Sequence, residues 1–217
     1  FSGFLLTFEQ LMELRGIDYV QYLVPIIAIQ AMFFTAMGSA INLASDLQTG
    51  IVQRYRAMPV SRFAIFGGLL IAYLVRGMVS AIILISLASF YGFRFQAGWF
   101  SIVGFIALLM LFTTTAVAGY AVLALRFKEP ELVDSLGIVP YAPLLLLSTG
   151  FSPAENFPSW LQPIVRTQPI SYIANALRAI ANGSEFLDPL LWSLGWLFGV
   201  LALFIFLIAW LDQGATQ

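Results

Sequence analysis

The chain of 217 residues has no cysteine, no histidine and one lysine, Lys128, and only 10% of its residues are charged. Each absence removes a class of chemistry. Without cysteine there are no disulfides and no thiolate nucleophile. Without histidine or cysteine there is no Ser-His-Asp triad and no ordinary zinc site. No Gly-x-x-x-x-Gly-Lys-Ser/Thr segment occurs, so the chain has no P-loop and is not expected to hydrolyse ATP itself. A site built from carboxylates alone stays open, but no pair of acids lies inside an apolar run, where burial would separate their pKa values. A net charge of −1 argues against a nucleic-acid partner, which needs a clustered basic face.

What is present is apolar. Hydrophobic residues make up 60% of the chain, too many for a polar surface to cover, whereas soluble domains carry about 25% charged residues. A bilayer core of about 30 Å needs about 20 apolar residues in a helix. Five stretches qualify: 19–44, 63–90, 99–125, 132–149 and 189–210. The fourth is broken by Gly137, Pro140 and Pro143. The opening run 1–8 is too short to span and lacks the basic start of a signal peptide. It reads as the outer end of a helix that begins upstream, which would bring the parent protein to six spans. Backbone groups in lipid must be bonded within the segment, so the spans are helices.

Short loops rich in Lys and Arg tend to stay inside. Arg54, Arg56 and Arg62 lie in the loop 46–62, and Arg126 and Lys128 follow the third qualifying stretch. This places both loops and the C-terminus inside, and the long segment 150–188 outside. Within that segment Pro169 suits a helix start and Asn182-Gly183 a helix stop. Between them Ile170, Ile173, Ala174, Leu177 and Ile180 recur at helical spacing, with Arg166, Asn175 and Arg178 as the polar counterpart. Two short helices over 157–183, at or dipping into the outer interface, are one reading; a solvated amphipathic loop is the other. Asn182-Gly-Ser184 matches a glycosylation acceptor, a weak motif.

Polar residues inside the spans narrow the candidates for function. Arg76 falls midway along 63–90, where an unpaired charge costs at least about 2.5 kcal/mol. It reads as a structural pair with a neighbouring span, or as a substrate or gating contact. Thr35, Ser39, Asn42 and Asp46 follow helical spacing in the first full span, with Gln30 above them and Met32, Phe33 and Phe34 beside them. This stripe is read either as a cavity wall or as interhelical hydrogen bonding, worth about 0.6 kcal/mol per bond. Gly195-x-x-x-Gly199 permits close helix packing.

Two motifs carry a resemblance. The first is the loop: Asp46, Thr49-Gly50, a short amphipathic stretch 51–58, then Pro59-Val60-Ser61-Arg62. The second is the outer pattern Pro158-x-Trp160-Leu161, Pro169-x-x-Tyr172, Leu177-Arg178 and Gly183. Together, in this order among these spans, they resemble the membrane subunit of ABC-2-type ABC exporters of the daunorubicin-resistance type. The resemblance implies an all-α membrane protein with a six-helix transmembrane domain and short outer re-entrant helices. It implies a permease in the bacterial plasma membrane that pairs with a second copy or a sister permease and with two ABC ATPase subunits. ATP and Mg would belong to those subunits, with no cofactor in this chain. The cargo would be an amphiphilic drug or a lipid. The loop would be the element seated on the ATPase, with Asp46, Gly50, Arg54, Arg56, Pro59, Ser61 and Arg62 as contacts. Guanidinium forks suit carboxylates, and Pro59 would fix the exit angle. The stripe residues and Tyr141 would line the transport path, and Trp160, Pro169, Tyr172 and Arg178 would build the outer helices. Two other classes stay open, an ion-coupled secondary transporter and a non-transporting membrane scaffold. The first would want acids within the spans, and the acids here lie in loops or at span ends.

Overall fold

The computed structural model describes residues 19–56 and 62–214. The run 1–8, Pro59 and Ser61 lie outside the described residues. Among the described residues every regular element is a helix. In chain order these are α1 (Tyr19–Gln48), α2 (Ile51–Arg56), α3 (Arg62–Phe90), α4 (Trp99–Phe127), α5 (Pro130–Leu146), a single 3-10 turn (Ala154–Asn156), α6 (Gln162–Thr167), α7 (Pro169–Asn182) and α8 (Leu187–Gly214).

Four of them are long and apolar enough to cross a bilayer: Val20–Gln48, Gly67–Phe90, Trp99–Phe127 and Leu187–Leu211. α4 and α8 run in the same direction, since Gly104 and Leu190 line one cavity and Gly119 meets Phe204 further along both. The ends carrying the basic loops are called inner here, after those residues. α4 is the hub and packs against α1, α3, α5, α7 and α8. Small residues let it do so: a Cβ added at Gly77 of α3 would lie 3.3 Å from Met32 Sδ and 3.4 Å from Thr113 Cγ2. The core runs along α1 and α4, where Leu23, Ile29, Met32, Phe105 and Leu109 are fully buried. The outward faces of α3 and α8 are apolar and bare, with Ile71, Ile83, Phe198 and Phe206 each more than half exposed. Water would not tolerate so much contiguous apolar surface; hydrocarbon does.

The α4–α5 turn is tight. Lys128 adopts φ 56°, in the left-handed region, and its N–H closes on Ala124 O at 2.9 Å. Pro130 then opens α5, where its missing N–H costs nothing. α5 has 17 residues, about 26 Å at 1.5 Å per residue. Residues 147–149 form the turn that leaves it. Inside α5, Pro140 and Pro143 remove two ladder donors, and the Tyr120 hydroxyl of α4 donates to Gly137 O at 2.8 Å. α7 begins beside that outer end of α5 and climbs outward. Its C-cap Gly183, at φ 65°, closes on Ala179 O.

Candidate functional site

At the inner end the chain makes an elbow. Thr49 Oγ1 and N both donate to Ser45 O, at 2.8 and 2.9 Å, ending α1. Gly50 then takes φ 77°, a conformation cheap only for glycine, and α2 follows at once. Val52 is buried and α2 packs back on α1, while Arg54 is exposed. Asp46 is half-buried near the end of α1. Arg56 ends α2 and Arg62 starts α3. Just above the elbow, Asn42 Nδ2 donates to the buried Tyr73 hydroxyl, which donates to Gly38 O at 3.3 Å. This ties α1 to α3, the two helices that flank the loop.

On α1 the open stripe runs Ile27, Gln30, Phe34, Met37 and Ile41, one residue per turn, with exposed Asn42 beside its end. Gln30 Nε2 donates to the Tyr141 hydroxyl of α5 at 2.6 Å. Phe34 lies 5.2 Å from the Tyr141 ring, and Phe33 meets Tyr141 and Phe112 edge-on at 5.7 and 5.1 Å. The structure therefore brings Gln30, Phe34 and Tyr141 together on an accessible wall, with Phe33 behind them. It does not bring Met32, Thr35 and Ser39 there. All three are buried. Thr35 Oγ1 donates to Ala31 O at 2.9 Å and Ser39 Oγ to Ala36 O at 2.6 Å. Their hydroxyls satisfy their own helix, so the polar stripe read from the sequence is no cavity wall at Thr35 and Ser39, and it bonds to a neighbouring helix at Asn42. Arg76 lies exposed on the outward side of α3, beside Val75 and Val79.

The outer end holds a polar knot. Arg178 of α7 donates from Nε to Tyr22 O at 3.1 Å, and from Nη1 to Asn175 Oδ1 at 2.9 Å. From Nη2 it donates to Thr149 O at 2.8 Å and Gly150 O at 2.6 Å. Its guanidinium carbon lies 3.6 Å from the centre of the Tyr22 ring. The Tyr22 hydroxyl donates to Thr149 O at 2.6 Å, and Ser171 Oγ receives Thr149 N–H at 3.0 Å. Gln168 Nε2 donates to Leu147 O. The carbonyls left open where α5 stops short are thus closed by side chains from α1 and α7. Burial pushes the Arg178 guanidinium down to about 10, so it stays charged at neutral pH. Nearby, Gln21 Nε2 donates to Arg94 O at 2.7 Å and Asn182 Oδ1 at 2.8 Å. Pro169 opens α7, Tyr172 stacks on Trp192 at 5.8 Å, and Trp160 is largely exposed. The sequence picked out Arg178, Tyr141 and Tyr141's partner Gln30, but not Tyr22 and Gly150, which Arg178 holds. The available clue was a run of polar residues, 148–150, ending an apolar stretch.

Among the described residues no three His, Cys, Asp or Glu side chains converge as a metal site would require. The fold and these features define a class: a helical, multi-pass membrane domain with a basic inner elbow and a partly polar wall on its first described helix. Residues 12–211 match the family model of ABC-2 family transporter proteins, and the chain belongs to that family. It is a multi-pass protein of the bacterial plasma membrane. It is 29% identical over 167 residues to the daunorubicin resistance ABC transporter permease protein DrrB1 of Streptomyces coeruleorubidus, covering 77% of this chain and 59% of that protein. It is 29% identical over 184 residues to the probable doxorubicin resistance ABC transporter permease protein DrrC of Mycobacterium tuberculosis, covering 82% and 64%. A third relative, the doxorubicin resistance ABC transporter permease protein DrrB of the same species, is 30% identical over 172 residues, covering 75% and 56%. The chain thus spans about three fifths of the length of these relatives.

Proposed function

We propose that this chain is the permease subunit of an ATP-driven ABC exporter that moves an amphiphilic drug or lipid out of the cytoplasm or the inner leaflet. ATP and Mg sit on a separate ATPase dimer, and a second permease copy or a sister permease completes the path. The observation that carries the reading is the elbow. A six-residue helix, held by Val52 and presenting Arg54, joins two membrane helices that are themselves tied by Asn42 and Tyr73. A partner that displaces α2 moves α1 and α3 together, and a rigid-body shift of this kind is how closure of one domain repacks another. The names of the relatives, permeases of drug-resistance ABC transporters, support the assignment.

The wall at Gln30 and Tyr141 suits such a cargo. Gln30 gives one amide proton to Tyr141, which leaves the Tyr141 O–H proton and the Gln30 carbonyl free to bond a ligand. Phe34 supplies an apolar surface beside them. An ion-coupled transporter would place acids in the middle of the spans. In α1 and α5 the acids are Asp46, Glu131 and Asp134, all near inner ends.

The test is copurification with the ATPase subunit, in the parent and in an Arg54→Glu, Arg56→Glu double variant. The expected result is a bound ATPase in the parent and about tenfold weaker association in the variant, with ATP-driven transport lost. Unchanged association and transport would overturn the elbow assignment. Transport driven by a proton gradient without any ATPase would select the ion-coupled reading, and no transport under either condition the scaffold.

A further inference from the structure

Behind the wall, on the far side of Phe33, lies a cavity of about 410 Å³ between α4, α5 and α8. Its floor on α4 is made of small residues, Ala116 and Gly119, and Trp196 and Val200 of α8 stand opposite. Ile170 of α7 roofs it. The size falls in the range of ligand pockets, about 300–1,000 Å³. From this cavity we infer a resident lipid site: a phospholipid of the surrounding bilayer inserts one acyl chain between α5 and α8.

Three observations fix the chemistry of the occupant. The first is depth. Phe112, on the cavity wall, is about 20 Å down α4 from Trp99 at 1.5 Å per residue, well inside the hydrocarbon. The second is the mouth. α4 packs against both α5 and α8, but α5 and α8 share no packed interface of their own. Pro140 and Trp196 line the cavity while being exposed themselves, so the gap opens onto the bilayer. The third is the lining. Its Thr115 hydroxyl donates to Leu111 O at 3.0 Å and its Tyr120 hydroxyl to Gly137 O at 2.8 Å. Both protons are engaged, and among the described residues no charged side chain lines the space. Water does not enter so apolar a cavity, and an empty one forfeits dispersion contacts along its whole wall. The medium at the mouth supplies methylene chains that fit. A transported amphiphile needs an anchor for its polar part, and the free polar groups lie on the other side of Phe33, at Gln30 and Tyr141. The cavity is therefore separate from the polar wall proposed to hold the cargo.

Native mass spectrometry of the full chain tests this, after reconstitution in palmitoyl-oleoyl phosphatidylglycerol nanodiscs and release from mild detergent. The parent is expected to retain one phospholipid mass per chain. Ala116→Phe fills the cavity and is expected to cut that retention about tenfold, while Ile83→Phe on the bare face of α3 leaves it unchanged. Ala116→Leu gives the same readout, with a smaller loss, should the larger side chain prevent folding. A second arm keeps Trp196 as the sole tryptophan and places the protein in vesicles of phosphatidylcholine brominated near the chain ends. Quenching of Trp196 is expected to fall when Ala116→Leu is added. The inference is overturned by a parent that retains no phospholipid, by equal retention in the filled variants, by a retained mass that is not a phospholipid, or by quenching indifferent to Ala116.

Discussion

Replacing Arg178 by leucine tests whether the outer knot holds α7 to α1 and α5. The substitution keeps the apolar stem and deletes four donated bonds, to Tyr22 O, Asn175 Oδ1, Thr149 O and Gly150 O. Thr149 O keeps the Tyr22 hydroxyl. Gly150 O loses its Arg178 donor in a buried setting, and such a group costs about 1–3 kcal/mol when left unmade. The stack on Tyr22 adds about 0.5–2 kcal/mol. Against this, leucine escapes the desolvation that pushes the guanidinium down. The net expectation is a loss of about 3 kcal/mol, which for a chain of this size lowers Tm by about 6–12 °C. Thermal unfolding in detergent, followed by tryptophan fluorescence, reads the shift. Hydrogen exchange should rise at 147–151 and 169–178 before it rises in α4. Arg178→Lys should recover only part, because an ammonium has three donors and no planar fork to reach acceptors on three segments. A leucine variant within about 2 °C of the parent, with unchanged exchange at those segments, would refute the reasoning.

Gly119→Ala places a Cβ 2.6 Å from Phe204 Cε2; overpacking of this kind should cost about 1–3 kcal/mol, read as a lower Tm. Tyr73→Phe removes the hydroxyl that links Asn42 to Gly38 O. It should cost about 1 kcal/mol and, in the assembled transporter, reduce ATPase stimulation by cargo more than it reduces cargo affinity; equal effects on both would count against a coupling role. Arg76→Leu removes a charge from the bare side of α3. Insertion should improve by about 2 kcal/mol or more, with expression kept. If a second permease or sister chain covers this face, the dissociation constant of the assembly should rise, and an unchanged constant excludes Arg76 from that contact.

Much of the fold could be read from apolar run length and from helix punctuation. Pro169 and Gly183 bracket α7 because a fixed φ suits a first turn and a left-handed φ suits a stop. Polarity misled where a helix can satisfy its own side chains. Thr35 and Ser39 look like a wall, yet each bonds a carbonyl three or four residues back and faces the core. What exposes the wall is the direction of Phe34 and Gln30, set by how α1 packs on α4, and nothing local in the sequence records that. The knot was out of reach for a similar reason. Arg178 and Tyr22 are 156 positions apart, and their meeting depends on where α5 ends. The run 132–149, though broken by Gly137, Pro140 and Pro143, reads as a span to its end because residues 144–147 are leucines; the helix stops at Leu146, and Thr149 after it is bonded to α1 and α7.

The shortness of α5 determines how movement passes through this domain. A helix of about 26 Å cannot present both ends to water, so its outer turn must be bonded inside the protein. The partners are α1 at Tyr22, the α7 N-cap Gln168, and α7 at Ser171 and Arg178. A Cβ on Gly150 would collide with Ile26 of α1, so that turn sits against α1 with no slack. α1 is therefore fixed to α3 near its inner end, to α5 at Gln30, and to the α5–α7 turn near its outer end. A helix anchored at three levels moves as a lever rather than bending at one point, because well-packed interfaces switch between arrangements more readily than they deform. In the proposed exporter, a shift of α2 at the elbow then reaches the Gln30–Tyr141 wall along α1, and the outer knot beyond Pro25. Loosening the knot should leave the elbow's attachment intact while uncoupling the outer end from it.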